Sequence, residues 1–287
     1  MTRSQTTLRR LREMKAAGEQ IVMVTAYDHP TARAADAAGV DIVLVGDSAA
    51  QVVLGYPSTV SVSVDEMLVL TGAVRRGVEV ALVVADVPFG STEVSDEQAI
   101  ATALRFVREA GADAVKLEGA GPARLSRIRA IVGAGIPVVG HVGLTPQTAT
   151  ALGGMRAQGR TEQTAARLVD DAFAVQDAGA FALVVEAVPA EVMAVVLPEI
   201  DIPVIGIGAG AADGQVLVLH DLLGITQGRV ATFVKRFAAV GEDIDAGLTA
   251  YAEEVRSGVF PGPEHVYPAG QEAVAAARAA VARRARP

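Results

Sequence analysis

The chain has 287 residues, 51% apolar and 20% charged, so it can build a large core and wholesale disorder is excluded. Its 25 basic and 33 acidic residues leave a net charge of −8, which argues against a nucleic-acid surface. The absence of cysteine rules out disulfides, thiolate metal sites and cysteine nucleophiles. No apolar run nears the roughly 18 residues of a membrane span, and the N-terminus lacks an apolar signal core, so a soluble cytoplasmic protein is expected.

In chain order, residues 7–18 predict an added helix with Leu8, Leu11 and Met14 on one face. Strands are predicted at 21–25, 41–46, 79–86, 114–118, 137–141, 182–186, 203–207 and 215–220. Several follow an Ala-Gly pair, at Ala38-Gly39, Ala110-Gly111, Ala134-Gly135 and Ala178-Gly179. Glycine there supplies a left-handed helix cap, and the next apolar run starts a strand. The runs are almost wholly apolar, as parallel strands covered on both faces should be. Helices separate most of them, for example 95–110, opened by a Ser95/Gln98 capping box. The gap before Gln215 is too short for a helix, so either that crossover is irregular or the eighth strand lies elsewhere.

Residues 225–257 are expected to be helical, and 268–287 form a basic Ala/Arg tail. The basic groups at Arg9, Arg10, Arg12 and Lys15, and at Arg283, Arg284 and Arg286, fit solvated terminal helices rather than RNA or membrane contacts. The expected architecture is α/β: a single (β/α)8 TIM barrel domain spanning 1–287, with an added N-terminal helix, barrel and flanking helices over 21–257, and C-terminal helices. A doubly wound sheet is the alternative.

Barrels of this kind place their chemistry at the C-terminal ends of the strands. Here those ends carry Thr25, Asp47 with Ser48, Asp86, Lys116 with Glu118, His141 and Glu186. Each has an ordinary reading when taken alone. Asp47 and Asp86 could be helix N-caps, His141 a core histidine, and Lys116 with Glu118, two apart on one strand face, a structural ion pair. Glu186 is harder to explain, because a carboxylate closing an apolar strand is costly to bury unpaired. Only three of the 25 basic residues are lysines, at 15, 116 and 235. A lysine inside a barrel strand of this arginine-rich chain points to a compact charge for a carboxylate or oxyanion, or to a Schiff base.

Asp47, Asp86 and Glu118 offer hard oxygen ligands, which favours Mg²⁺ sharing its sphere with water and substrate oxygens. Such a site suits a 2-oxo acid, with the ion as Lewis acid toward the enolate and Glu186 as candidate base. The Gly206-Ile207-Gly208-Ala209-Gly210-Ala211 run matches a loose dinucleotide pattern, but no crossover helix fits after it, so close backbone approach is the better explanation. No P-loop motif occurs.

Ordered motifs over about residues 7–267 carry a family resemblance. They are Thr25-Ala26-Tyr27-Asp28, Leu44-Val45-Gly46-Asp47-Ser48, Ala85-Asp86-Val87-Pro88-Phe89 and Val115-Lys116-Leu117-Glu118-Gly119. They continue in His141-Val142-Gly143-Leu144-Thr145-Pro146-Gln147, Gln158-Gly159-Arg160, Glu186-Ala187-Val188-Pro189, Gly206-Ile207-Gly208-Ala209-Gly210 and Asp213-Gly214-Gln215. The chain resembles the ketopantoate hydroxymethyltransferase family. That resemblance implies a Mg²⁺-dependent barrel of the phosphoenolpyruvate/pyruvate superfamily. It further implies transfer of a hydroxymethyl group from 5,10-methylenetetrahydrofolate to 3-methyl-2-oxobutanoate, giving 2-dehydropantoate for pantothenate biosynthesis.

By position, the resemblance makes Asp47 and Asp86 metal ligands, with Glu118 in or near the metal shell. It makes Asp47, Ser48, Asp86, Lys116 and His141 substrate contacts, and Glu186 the proton acceptor. It also implies a cytoplasmic homodecamer of two pentameric rings, with no nucleic-acid or membrane partner. The chain departs from the family pattern in a short link from Gly210 to Asp213, in Met155 and Ala187, and in Val266 of the closing Glu264-His265-Val266-Tyr267 motif. Two other readings remain: a Mg²⁺-dependent carbon–carbon lyase or aldolase on another 2-oxo acid, and a non-catalytic ligand-binding barrel.

Overall fold

The computed structural model describes residues 4–228 and 230–284, so Arg286 of the basic tail lies outside the described residues. The chain divides into two compact units, Met1–Ala238 and Ala239–Pro287.

The first unit contains a closed barrel of eight parallel strands in sequence order. They are β1 (Ile21–Thr25), β2 (Ile42–Val45), β3 (Leu82–Asp86), β4 (Ala114–Glu118), β5 (Val138–Gly143), β6 (Ala182–Glu186), β7 (Val204–Ile207) and β8 (Gly214–Leu217). β2, β3 and β4 are buried along their whole length, because helices cover one face and the barrel interior the other. The barrel closes where Ile21 to Val24 of β1 pair with Gly214 to Leu217 of β8.

The added helix α1 (Leu8–Ala17) is opened by the Thr7 side chain, which accepts from the Arg10 N–H, and is closed by Gly18 in the left-handed region. Its Leu11 and Met14 join a core with Ile21, Met23, Ile42, Leu44 and Val84. Lys15 of α1 pairs with Asp213 at 2.6 Å, and the Asp213 carboxylate also accepts from the Val204 N–H. The link from β7 to β8 is therefore irregular and contains no helix, and Asp213 ties it to α1 and β7.

Helices α2 (His29–Ala38), α3 (Ala49–Val52) and α4 (Val64–Gly77) follow β1 and β2. Helices α5 (Asp96–Arg108), α6 (Pro122–Gly133), α7 (Glu162–Asp177) and α8 (Ala190–Val196) follow β3 to β6. The Ser95 side chain caps α5 as expected, but Gln98 reaches back to the Val94 N–H rather than to Ser95. The third strand starts at Leu82, later than the apolar run, because the Asp36 carboxylate takes the N–H groups of Glu79, Val80 and Ala81 out of the ladder.

β8 is followed only by a short helix, α9 (Leu219–Leu222). The expected helix over 225–257 is present only in its later part, as α10 (Val240–Ser257). Upstream, the N–H groups of Ile225 and Thr226 both turn back to the His220 carbonyl, and Thr226 Oγ1 donates to Asp221, so the chain leaves α9 in a turn. With so short a helix after β8, an apolar hollow of about 500 Å³ stays open outside the barrel, bounded by Val22, Ala34, Leu217, Leu222 and Phe237.

The second unit holds α10 and α11 (Gln271–Arg284). Ile244, Leu248, Tyr251 and Val255 recur at helical spacing on α10 and are all exposed. The tail predicted from 268 onward is helical over α11. Among the described residues, no helix is long and apolar enough to cross a membrane.

Candidate active site

Strand register sets the site. Asp86 of β3 lies opposite Lys116 of β4, and Glu118 lies opposite His141 of β5. Gly143 at the end of β5 lies opposite Glu186 of β6. Asp47 and Ser48 follow β2 directly and lead into α3. All eight strand-end side chains singled out from the sequence, Thr25 included, line one cavity of about 380 Å³ at the C-terminal mouth of the barrel.

Lys116 Nζ lies 2.7 Å from Asp86 Oδ1, 3.9 Å from Glu118 Oε1 and 3.2 Å from His141 Nδ1. His141 bridges two carboxylates, with Nδ1 3.4 Å from Glu118 Oε1 and Nε2 3.3 Å from Glu186 Oε2. Asp86 Oδ2 accepts from the Asp47 N–H at 3.0 Å. Asp86, Lys116, Glu118 and His141 have side chains only 2–4% exposed, whereas Glu186 is 14% exposed. Asp86 Oδ1 faces Lys116 and His141 Nε2 faces Glu186 as ionic neighbours, and both atoms are buried without an aligned hydrogen-bond partner.

Four carboxylates thus surround one lysine and one histidine. Burial raises Asp47 well above the usual carboxylate range, and repulsion from Asp86 and Glu118 adds to it. Burial raises Asp86 as well, with Lys116 acting against the rise. Burial opposes the charge on Lys116, yet the carboxylates of Asp86, Glu118 and Asp47 hold it above its ordinary value. Glu118 is lowered against its burial by His141 and Lys116. For His141, burial and the Lys116 ammonium push down, but Glu118 and Glu186 outweigh them and its pKa is pushed up to about 9.

This has a measurable consequence. In protein kept free of divalent cations by a chelator, the His141 imidazole titrates near 9 rather than near 6.5. Because the folded value is the higher one, its stabilising contribution is complete below 6.5 and is lost as pH rises through about 9. Imidazole NMR across that range checks the shift, and a midpoint at or below 6.5 contradicts it.

The donor set is hard oxygen with surplus negative charge, which fits a divalent cation held by few carboxylates and completed by water and substrate. Among the described residues, no group of three His, Asp or Glu side chains stands arranged to hold a metal ion. Glu118 belongs to the cluster, but its Oε2 accepts from the Gln147 N–H at 3.0 Å and its Oε1 faces His141. Asp86 is engaged likewise, by Lys116 at Oδ1 and by the Asp47 N–H at Oδ2, and Asp47 Oδ2 accepts from Gln147.

Three features escaped the sequence reading. Tyr27 lies in the Thr25-Ala26-Tyr27-Asp28 motif, and its hydroxyl sits 2.8 Å from Ser48 Oγ, fixing a predicted substrate contact. Gln147 donates from Nε2 to Asp47 Oδ2 at 2.9 Å and is buried behind the cavity. Thr226, Phe233 and Val234 line the mouth in a stretch expected to be helical. Phe233 packs onto Gly208, which has φ +63° and no room for a Cβ beside the ring, so close backbone approach accounts for that glycine.

Gly143 is equally constrained. Its φ is +89°, and a Cβ would collide with the Glu186 carbonyl, which accepts from the Leu144 N–H at 2.9 Å. Gly143→Ala is expected to cost about 1–3 kcal/mol of stability through backbone strain. It should also lower kcat by displacing Glu186. Urea unfolding with steady-state kinetics tests this, and unchanged values in both contradict the role.

A sequence profile for the ketopantoate hydroxymethyltransferase family matches residues 5–263. The chain is 52% identical over 262 residues to a 3-methyl-2-oxobutanoate hydroxymethyltransferase of Heliobacterium modesticaldum, covering 91% of this chain and 95% of that protein. It is 54% identical over 258 residues to the enzyme of the same name from Rhodococcus jostii, covering 90% and 89%. In fold it is similar to phosphoenolpyruvate phosphomutase from Streptomyces platensis subsp. rosaceus, with a TM-score of 0.60, 18% identity and 91% and 92% of the two chains covered. A phosphonopyruvate hydrolase solved with oxalate and Mg²⁺ gives a TM-score of 0.60 at 14% identity, with 97% of each chain covered. The chain belongs to the ketopantoate hydroxymethyltransferase family and is an enzyme, a one-carbon transferase.

Proposed function

We propose that the chain transfers a hydroxymethyl group from 5,10-methylenetetrahydrofolate to 3-methyl-2-oxobutanoate, giving 2-dehydropantoate for pantothenate biosynthesis. The observation that carries this reading is the convergence of Asp47, Ser48, Asp86, Lys116, His141 and Glu186 on one rim cavity of a chain in that family. Mg²⁺ is the proposed cofactor; Asp47 and Asp86 would hold it, with Glu118 in or near its shell. The phosphonopyruvate hydrolase of similar fold was solved in complex with oxalate, a dicarboxylate, and Mg²⁺. When bound, the cation supplies Lewis acidity toward the keto and carboxylate oxygens of the substrate.

The protein groups divide the remaining work. Ser48, its hydroxyl held by Tyr27, binds the substrate carboxylate. Lys116, kept cationic by Asp86 and Glu118, faces the keto oxygen as negative charge develops there. Glu186 takes the C3 proton at its carboxylate. His141 Nε2 then holds a proton against Glu186 Oε2 and stabilises either state of that carboxyl group. A carbon–carbon bond forms between C3 and the donor's one-carbon unit, water supplies the hydroxyl oxygen, both C–N bonds that held the unit break, and tetrahydrofolate leaves carrying the proton from C3 and one from water.

The same reading makes the chain a cytoplasmic homo-oligomer, a decamer by family resemblance. The open apolar hollow beside β8 and, separately, the exposed apolar stripe of α10 support self-association. The test of function is product analysis with and without the folate donor. 2-Dehydropantoate formed only with folate supports the transferase. Cleavage of a 2-oxo acid without any one-carbon donor would establish the lyase instead.

A further inference from the structure

We propose that Gln147 is a positioning residue that selects which carboxylate oxygens of Asp47 and Glu118 face the cavity. The proposal rests on the reading of Asp47 as a cation-facing carboxylate. Gln147 stands in the 3-10 turn Pro146–Thr148 that follows β5, is only 7% exposed, and does not itself line the cavity. From there it reaches the ends of three other strands. Its Nε2 donates to Asp47 Oδ2 at 2.9 Å, beyond β2, and to the Val87 carbonyl at 3.0 Å, beyond β3. Its backbone N–H donates to Glu118 Oε2 at 3.0 Å, at the end of β4.

Both amide protons of the side chain are thereby used, one on a carboxylate and one on a backbone carbonyl. The bond to Asp47 turns Oδ2 toward the wall and leaves the second oxygen for the cavity. The backbone bond does the same for Glu118, whose Oε1 faces Lys116 and His141. An amide suits this role because it donates without charge. A lysine or arginine here would neutralise Asp47 and weaken its attraction for a cation, whereas a glutamate would repel it. Groups that orient a ligating carboxylate in this way set its metal affinity without touching the metal.

Gln147→Met keeps the side-chain volume, removes both amide donors and leaves the backbone bond to Glu118 intact. Calorimetric titration with MgCl₂ alone, without substrate, reads the effect. The expected result is Mg²⁺ affinity reduced by about 10- to 100-fold, with kcat substantially recovered at high Mg²⁺. Unchanged Mg²⁺ affinity with a lowered thermal midpoint would make Gln147 a loop anchor through Val87 and overturn the proposal. If Gln147→Met does not fold, Gln147→Asn takes its place, since its amide is one methylene too short to reach Asp47. The same loss of affinity supports the proposal, and unchanged affinity overturns it. Failure of the parent protein to bind Mg²⁺ in this titration would sink the metal reading itself, whereas equal affinities in parent and variant would sink only the role of Gln147.

Discussion

Glu186→Gln lowers kcat by about 100- to 10,000-fold, the range expected when a positioned general base is removed, while affinity for 3-methyl-2-oxobutanoate stays near that of the parent. The separation follows from placement. Glu186 closes β6 at 14% exposure, on the open side of His141, away from the Asp47–Asp86 pair. Glutamine keeps the shape of the side chain and can still meet His141, but it cannot take a proton from carbon. Pre-steady-state turnover and substrate titration calorimetry together test this. Comparable kcat in the variant would place the base elsewhere. A lost affinity with intact kcat would make Glu186 a binding group.

Asp86→Ala is expected to act on binding and on stability at once. The carboxylate sits 2.7 Å from Lys116 Nζ, with both side chains 4% exposed, and it accepts from the Asp47 N–H. Removing it leaves a buried ammonium without its nearest counter-charge, a change that typically costs about 3–5 kcal/mol. It also removes half of the proposed cation-holding pair, so Mg²⁺-dependent binding of the 2-oxo acid should disappear. Chemical denaturation measures the first effect and calorimetry the second. Unchanged Mg²⁺-dependent affinity would count against Asp86 as a ligand, whatever happens to stability.

The barrel was legible because apolar runs ending in polar residues recur along the chain, and each of the eight expected strands overlaps one in the fold. Their ends shifted where a side chain competed for the backbone, as Asp36 does before β3. The convergence of the candidate residues on one cavity was legible for the same reason, since strand ends converge in a closed barrel whatever their separation in sequence. Gln147 was not, because its partner Asp47 lies 100 positions away and no spacing rule links a turn after β5 to a turn after β2. The stretch after α9 was misread because its apolar residues face the mouth of the cavity, Phe233 and Val234 among them, rather than a helix interface. The turn at His220 depends on backbone bonds that hydrophobic patterning does not encode.

In the proposed reaction this rim cavity removes a proton from C3 of a 2-oxo acid and joins that carbon to a folate-borne one-carbon unit. Proton NMR of 3-methyl-2-oxobutanoate in D₂O, with purified protein and Mg²⁺, tests it most directly, with methylenetetrahydrofolate added only to a second tube. Mg²⁺-dependent loss of the C3 proton signal is expected in the first tube and 2-dehydropantoate only in the second. Folded protein that produces neither exchange nor product would contradict it.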